Sequence, residues 1–183
     1  MTGLSGNRSR GIIALLAVLA LAGLAAWLGA RKTPGARNHP LDDYPELFVH
    51  EAVCPDSGDA SDNGRRSEEH AHLRADRYVY DPRDGVRAVQ QLQEAESCYG
   101  AAGDELGAHR VRRAISGLTT RVNTDYAAAR LNLSNALEQE RWSAALSEIR
   151  RLLLLTDHIG RHEYVEWLTK IIGSVAAKAS TES

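Results

Sequence analysis

Hydrophobic positions divide the chain into three unlike stretches. Gly11 to Ala30 is apolar without interruption, twenty residues that carry no charge and one hydrogen-bonding side chain, the indole of Trp27. From 31 to 83 apolar residues are sparse and irregular. After Pro82 no proline occurs in about a hundred residues, and apolar positions recur at threes and fours, the period of helices that bury one face.

Twenty helical residues rise about 30 Å, the thickness of the hydrocarbon layer, in which every backbone polar group must pair internally. Residues 11–30 therefore read as a transmembrane helix. Arg8 and Arg10 precede it and Arg31, Lys32 and Arg37 follow, so the positive-inside rule is nearly balanced. The favoured orientation is a single-pass signal anchor in an inner membrane, with residues 1–10 in the cytoplasm and the C-terminal body in the periplasm. The alternative is a signal peptide cleaved near Ala20-Leu21-Ala22 or Gly23-Leu24-Ala25, which releases the body into the periplasm.

Residues 31–83 read as an acidic, partly disordered tether. Four of the five prolines lie at 34, 40, 45 and 55, and Asp56 to Gly64 is turn-forming and polar. Within it, Leu41 to Val53 is predicted as a short helix using Leu47, Phe48 and Val53 as contacts, and Ser67 as the cap of a helix reaching Tyr80.

Residues 84–178 are expected to be nearly all helix, making the fold class all-α. Asp84 caps a first helix with Val86, Val89, Leu92, Ala95 and Tyr99 on its buried stripe, Gly103 stops it, and Asp104 starts the next. The stripe then runs from Leu106 to Leu137, with Asn123-Thr124-Asp125 as the one candidate interruption. Ser143 caps a further helix carrying Leu146, Ile149, Leu152 and Leu153. Gly160 marks a turn, a last helix carries Tyr164, Leu168, Ile171 and Val175, and 179–183 form a disordered tail.

Leu92, Ala95, Tyr99, Gly103-Asp104 and Ala108 stand at the spacings of a tetratricopeptide-type helical repeat, and Leu133, Ser134, Leu137, Trp142 and Ala145 follow the pattern again. Residues 86–157 thus resemble that family, with an offset of 37 residues between Ala108 and Ala145, no closing proline, and Glu96 where a small residue is usual. The resemblance implies a small helical-hairpin domain with a concave surface for peptides or partner helices. The alternative is a bundle around one long helix, 104–140, with flanking helices folded against its two halves.

The net charge of −2 argues against a nucleic-acid partner, and 19 arginines scattered among acids do not form a basic stripe. The acid excess is local: residues 38–83 hold eleven acidic and five basic side chains. Cys54 and Cys98 are the two cysteines; an exported domain allows them to pair, whereas a cytoplasmic one keeps both reduced. Arg112, Arg113, Arg121 and Arg130 are candidates for an electropositive partner-binding rim. His70 and His72, beside Glu68 and Glu69, are poorly spaced for zinc, because residues two apart on a helix do not share a face. No phosphate loop, nucleophile elbow, His-Glu-x-x-His or CxxC pair is present. No catalytic, cofactor or metal residue is therefore assigned, and no small-molecule substrate is indicated. The sequence reading is a membrane-anchored adaptor or scaffold for an unidentified protein partner. A small structural subunit of a membrane complex is the alternative, helped by the small residues Ala22, Ala26 and Ala30, and a metal-binding enzyme is the remote one.

Overall fold

The computed structural model describes residues 43–49 and 52–182. The predicted membrane helix 11–30 and the residues before it lie outside this range, as do residues 31–42. Among the described residues there are five helices and no strand, so the body is all-α, and no helix there is long and apolar enough to cross a membrane.

The helices are α1 (Ala60–Arg77), α2 (Pro82–Ala102), α3 (Glu105–Glu138), α4 (Trp142–Leu155) and α5 (Glu163–Ala179). Each packs on the next in sequence, and α2 also touches α4. Aspartates start the first three: Asp59 accepts from the Asp62 N–H, Asp81 from Arg83 with Pro82 in the first turn, and Asp104 from Gly107. Each satisfies an orphan donor of a first turn. Gly103 ends α2 at φ 72°, a left-handed conformation that costs glycine nothing.

Helix α3 is 34 residues long, about 50 Å at the standard rise. It passes through Asn123-Thr124-Asp125 unbroken. The two sequence segments that resemble repeats therefore share one continuous helix. The N-terminal half buries Ala108 and Val111 against Ala71, Leu92, Ala95 and Tyr99 of α1 and α2. Its C-terminal half buries Val122, Tyr126, Ala129, Leu133 and Ala136 with Ala145, Ile149, Leu152, Leu155, Tyr164 and Leu168 of α4 and α5.

Several local expectations are corrected. The stretch read as tether contributes α1, a full helix of the body. Its buried residues are Asn63, Gly64, Ser67 and Ala71, small side chains that let α2 come close but give no hydrophobic signal. Ser67 is thus interior, where its hydroxyl donates to Glu94 at 2.7 Å. Asp84 lies in the first turn of α2, three residues after the cap Asp81, and is bonded by Arg74 and Arg77 of α1 at 2.8 and 2.9 Å. Leu106, placed on the buried stripe by period alone, is exposed.

The last correction concerns the C-terminus. Helix α4 has no cap from its own N-terminal residue Arg141. Instead the Glu182 carboxylate accepts from the Trp142 and Ser143 N–H groups at 3.0 and 2.9 Å and from the Ser143 hydroxyl. These bonds hold the Glu182 carboxyl below its usual range. The tail is therefore docked at least through Glu182, and Ser143 is a donor to that cap instead of the cap itself.

Candidate docking groove

Residues 43–49 are not helical. Pro45 removes one backbone donor and disfavours a helical conformation in Tyr44 before it. The segment crosses the body as a strap. Pro45 and Leu47 turn inward, with Leu47 4% exposed and part of the C-terminal core, while Phe48 packs against the same cluster. Val53, expected as a contact, is exposed.

Two polar contacts fasten the strap. The His158 ring lies 2.8 Å from the Leu47 carbonyl through Nε2; since a carbonyl can only accept, Nε2 carries the proton. Tyr44 meets Tyr126 edge to face, with centroids 6.2 Å apart. The Arg130 guanidinium lies 3.2 Å from the Tyr44 ring centroid and 5.0 Å from that of Tyr126, a cation stacked on aromatic faces.

Cavities flank the strap. One of about 430 Å³ is lined by residues 44–49, Gln90 and Gln93 of α2, and the turn from His158 to His162. The other, about 440 Å³, lies between residues 44–48 and Thr119, Asn123, Tyr126 and Arg130 of α3. His162 belongs to the framework, because its Nδ1 accepts from the Tyr164 N–H and caps α5.

Several buried polar atoms here make no hydrogen bond: Thr119 Oγ1, Tyr126 OH, Arg130 Nε and, deeper, Tyr164 OH. Each such group costs about 1 to 3 kcal/mol. Burial pushes the Tyr126 and Tyr164 phenols above the ordinary range, so both stay protonated donors.

The arginines proposed as a rim do not form one. At about 100° per residue, Arg112 and Arg130 share an angular position but lie 18 residues apart, while Arg121 points the opposite way. Arg112 is bonded to Glu96 at 2.7 Å, Arg121 lies over the Tyr78 ring at 5.2 Å, and Arg113 is exposed. Only Arg130 lines the groove.

Cys54 and Cys98 are joined by a disulfide, and the Cys54 N–H donates to Ser97 Oγ at 3.1 Å. His70 and His72 are exposed, and among the described residues no group of three or more His, Cys, Asp or Glu is placed to hold a metal ion. Tyr99 is buried with its hydroxyl donating to Glu68 at 2.7 Å. Trp142 packs under Lys178 at 3.8 Å. These aromatic residues serve interhelical contacts.

Sequence reading missed the strap because its buried side chains are two residues apart, Pro45 and Leu47, in a proline-bearing acidic stretch. That alternation in Tyr44-Pro45-Glu46-Leu47-Phe48 was the available signal. Compared with known proteins, the chain matches no family model, no curated protein and no solved structure.

Proposed function

We propose that the chain is a membrane-anchored helical scaffold that docks a non-helical segment of a protein partner, with residues 11–30 as the anchor and the body in the periplasm. The observation that carries this reading is the strap: the surface formed by α2, α3 and the α4–α5 turn already takes a seven-residue stretch with two inward side chains and one backbone hydrogen bond. A body that receives such a segment from its own chain has the shape to receive one from another. As to architecture, the long-helix bundle is preferred over a string of equal repeats, because α3 has no break.

The Cys54–Cys98 bond supports placement outside the cytoplasm, since disulfides persist in oxidising compartments. An alkaline phosphatase fused at the C-terminus should be active, and an inactive fusion contradicts the orientation. A photo-crosslinking residue at Gln93, in the groove, should capture a partner in the native host that the same residue at Lys170 does not. Equal labelling from both positions contradicts docking in the groove.

A further inference from the structure

Thr119, Asn123, Tyr126 and Arg130 follow one another at four, three and four residues, which places them in one stripe along α3. All four line the cavity of about 440 Å³ beside the strap. Three of them bring a buried polar atom without a hydrogen-bond partner: Thr119 Oγ1, Tyr126 OH and Arg130 Nε.

The three contrast with residues of the same type that are satisfied elsewhere in the body. Thr120, Thr124, Thr156 and Thr169 all donate their hydroxyl to the carbonyl four residues earlier, the usual resort of a threonine inside a helix; Thr119 does not. Tyr78 and Tyr99 donate to the carboxylates of Asp125 and Glu68; Tyr126, only 4% exposed, has no such acceptor. Arg74, Arg77, Arg110, Arg112 and Arg151 face carboxylates, while among the described residues no carboxylate lies within ion-pair distance of Arg130. Tyr44 covers a face of its guanidinium, and the planar edge, with Nε, is what remains for an acceptor.

We propose that this cavity is a binding site for a carboxylate, with Arg130 as its charge partner and the Tyr126 and Thr119 hydroxyls as additional donors. A carboxylate is planar, accepts from a guanidinium edge and from hydroxyls together, and carries the single negative charge that one cation can balance. A phosphate dianion would be left half-compensated, the more so because Glu46 lines the same cavity. The strap forms one wall and stays in place, so the site does not depend on a partner displacing it. The carboxylate can come from a free acid or from a protein C-terminus.

Calorimetric titration of the full chain distinguishes these. The probes are butyrate, acetyl-trialanine with a free C-terminus, the corresponding amide, and inorganic phosphate. Binding of butyrate or the free-acid peptide, one per chain, without binding of the amide, is the expected result; the tighter of the two acids identifies the source. Arg130→Gln should weaken the acid at least about tenfold. Tyr126→Phe, which keeps the ring and its packing, should weaken it about three- to tenfold. Glu46→Gln should tighten it by removing a competing charge. Silence from both acids, equal binding of the amide, preference for phosphate, or unchanged binding in Tyr126→Phe overturns the assignment. Because Tyr126→Phe is nearly isosteric, the test survives a folding defect in Arg130→Gln.

Discussion

Cys54 is bonded to Cys98, which fastens the chain ahead of α1 to the fully buried position of α2 that faces it. The bond is reinforced next door by the Cys54 N–H to Ser97 contact. It joins residues 44 apart in sequence; everything between them, α1 included, becomes a closed loop.

Reduction should therefore be costly. Closing a loop of that length stabilises the fold by about 4 kcal/mol in the chain-entropy model. Urea unfolding of the oxidised chain and of the Cys54→Ser/Cys98→Ser variant should differ by about that amount, with far-ultraviolet dichroism as the readout. Equal midpoints would mean that α1 is held by its other contacts alone.

Two glycines on helices should respond to alanine in opposite directions. Gly85 in α2 lies under the Tyr78 ring, and a methyl group added there would overlap the ring carbons. Gly85→Ala should destabilise by about 1 to 3 kcal/mol, as overpacking does. Gly117 in α3 has open space around it, so Gly117→Ala should stabilise by about 0.5 to 1 kcal/mol through reduced backbone entropy. Thermal melts of the two variants check both signs.

Stability should fall at both ends of the pH scale. Arg110, bonded to Glu68 through Nε and Nη2 at 2.8 and 2.7 Å, holds that carboxyl below its ordinary range. Burial raises the Asp84 carboxyl, but the bonds from Arg77 and Arg74 outweigh it, and the net shift is downward. A depressed carboxyl contributes stability that is present above its unfolded pKa of about 4 and is lost as pH falls through the lower folded value. In alkali the opposite groups act. Burial raises Tyr78, Tyr126 and Tyr164, and burial with the bond to Glu68 pushes Tyr99 up to about 12. A raised phenol contributes stability that is present below its unfolded pKa of about 10 and is lost above it. The melting temperature should be flat between about pH 5 and 9, fall below about pH 4, and fall again above about pH 10. A profile with a neutral-pH step contradicts this and points to a histidine.

The parts of the fold that were legible in the sequence are those where large apolar side chains repeat. Val89, Leu92, Val111, Val122, Leu133, Ile149, Leu152 and Leu168 are all buried at the positions their period assigns. The Gly103-Asp104 junction was legible as well, because a left-handed residue and a cap are local chemistry. What escaped was held by other means. Helix α1 presents Gly64, Ser67 and Ala71, whose small size is the reason for close packing and also the reason no hydropathy pattern marks it. The α4 cap comes from Glu182, 40 residues beyond Trp142, a distance over which no capping pattern operates. In the candidate site, Arg130 could be singled out as an arginine on α3, but its setting depends on Tyr44, 86 positions earlier, being brought over it by the strap. Arg112 and Arg121, alike in sequence, are tied to Glu96 and Tyr78 by the same kind of long-range packing.

The proposal that the groove docks a non-helical segment is tested most directly by binding the strap in trans. Leu47→Asp in the full chain places a charge at a buried position and should expel residues 43–49 while the disulfide keeps the rest of the segment in place. A synthetic peptide of residues 40–50 titrated into that variant should bind saturably, one per chain. Binding should weaken about tenfold or more when Tyr44 and Leu47 of the peptide are both replaced by alanine, and the wild-type chain should bind the same peptide far more weakly, its groove already being filled. No saturable binding to a Leu47→Asp chain that retains its helical dichroism, or equal binding of a scrambled peptide, would contradict the account.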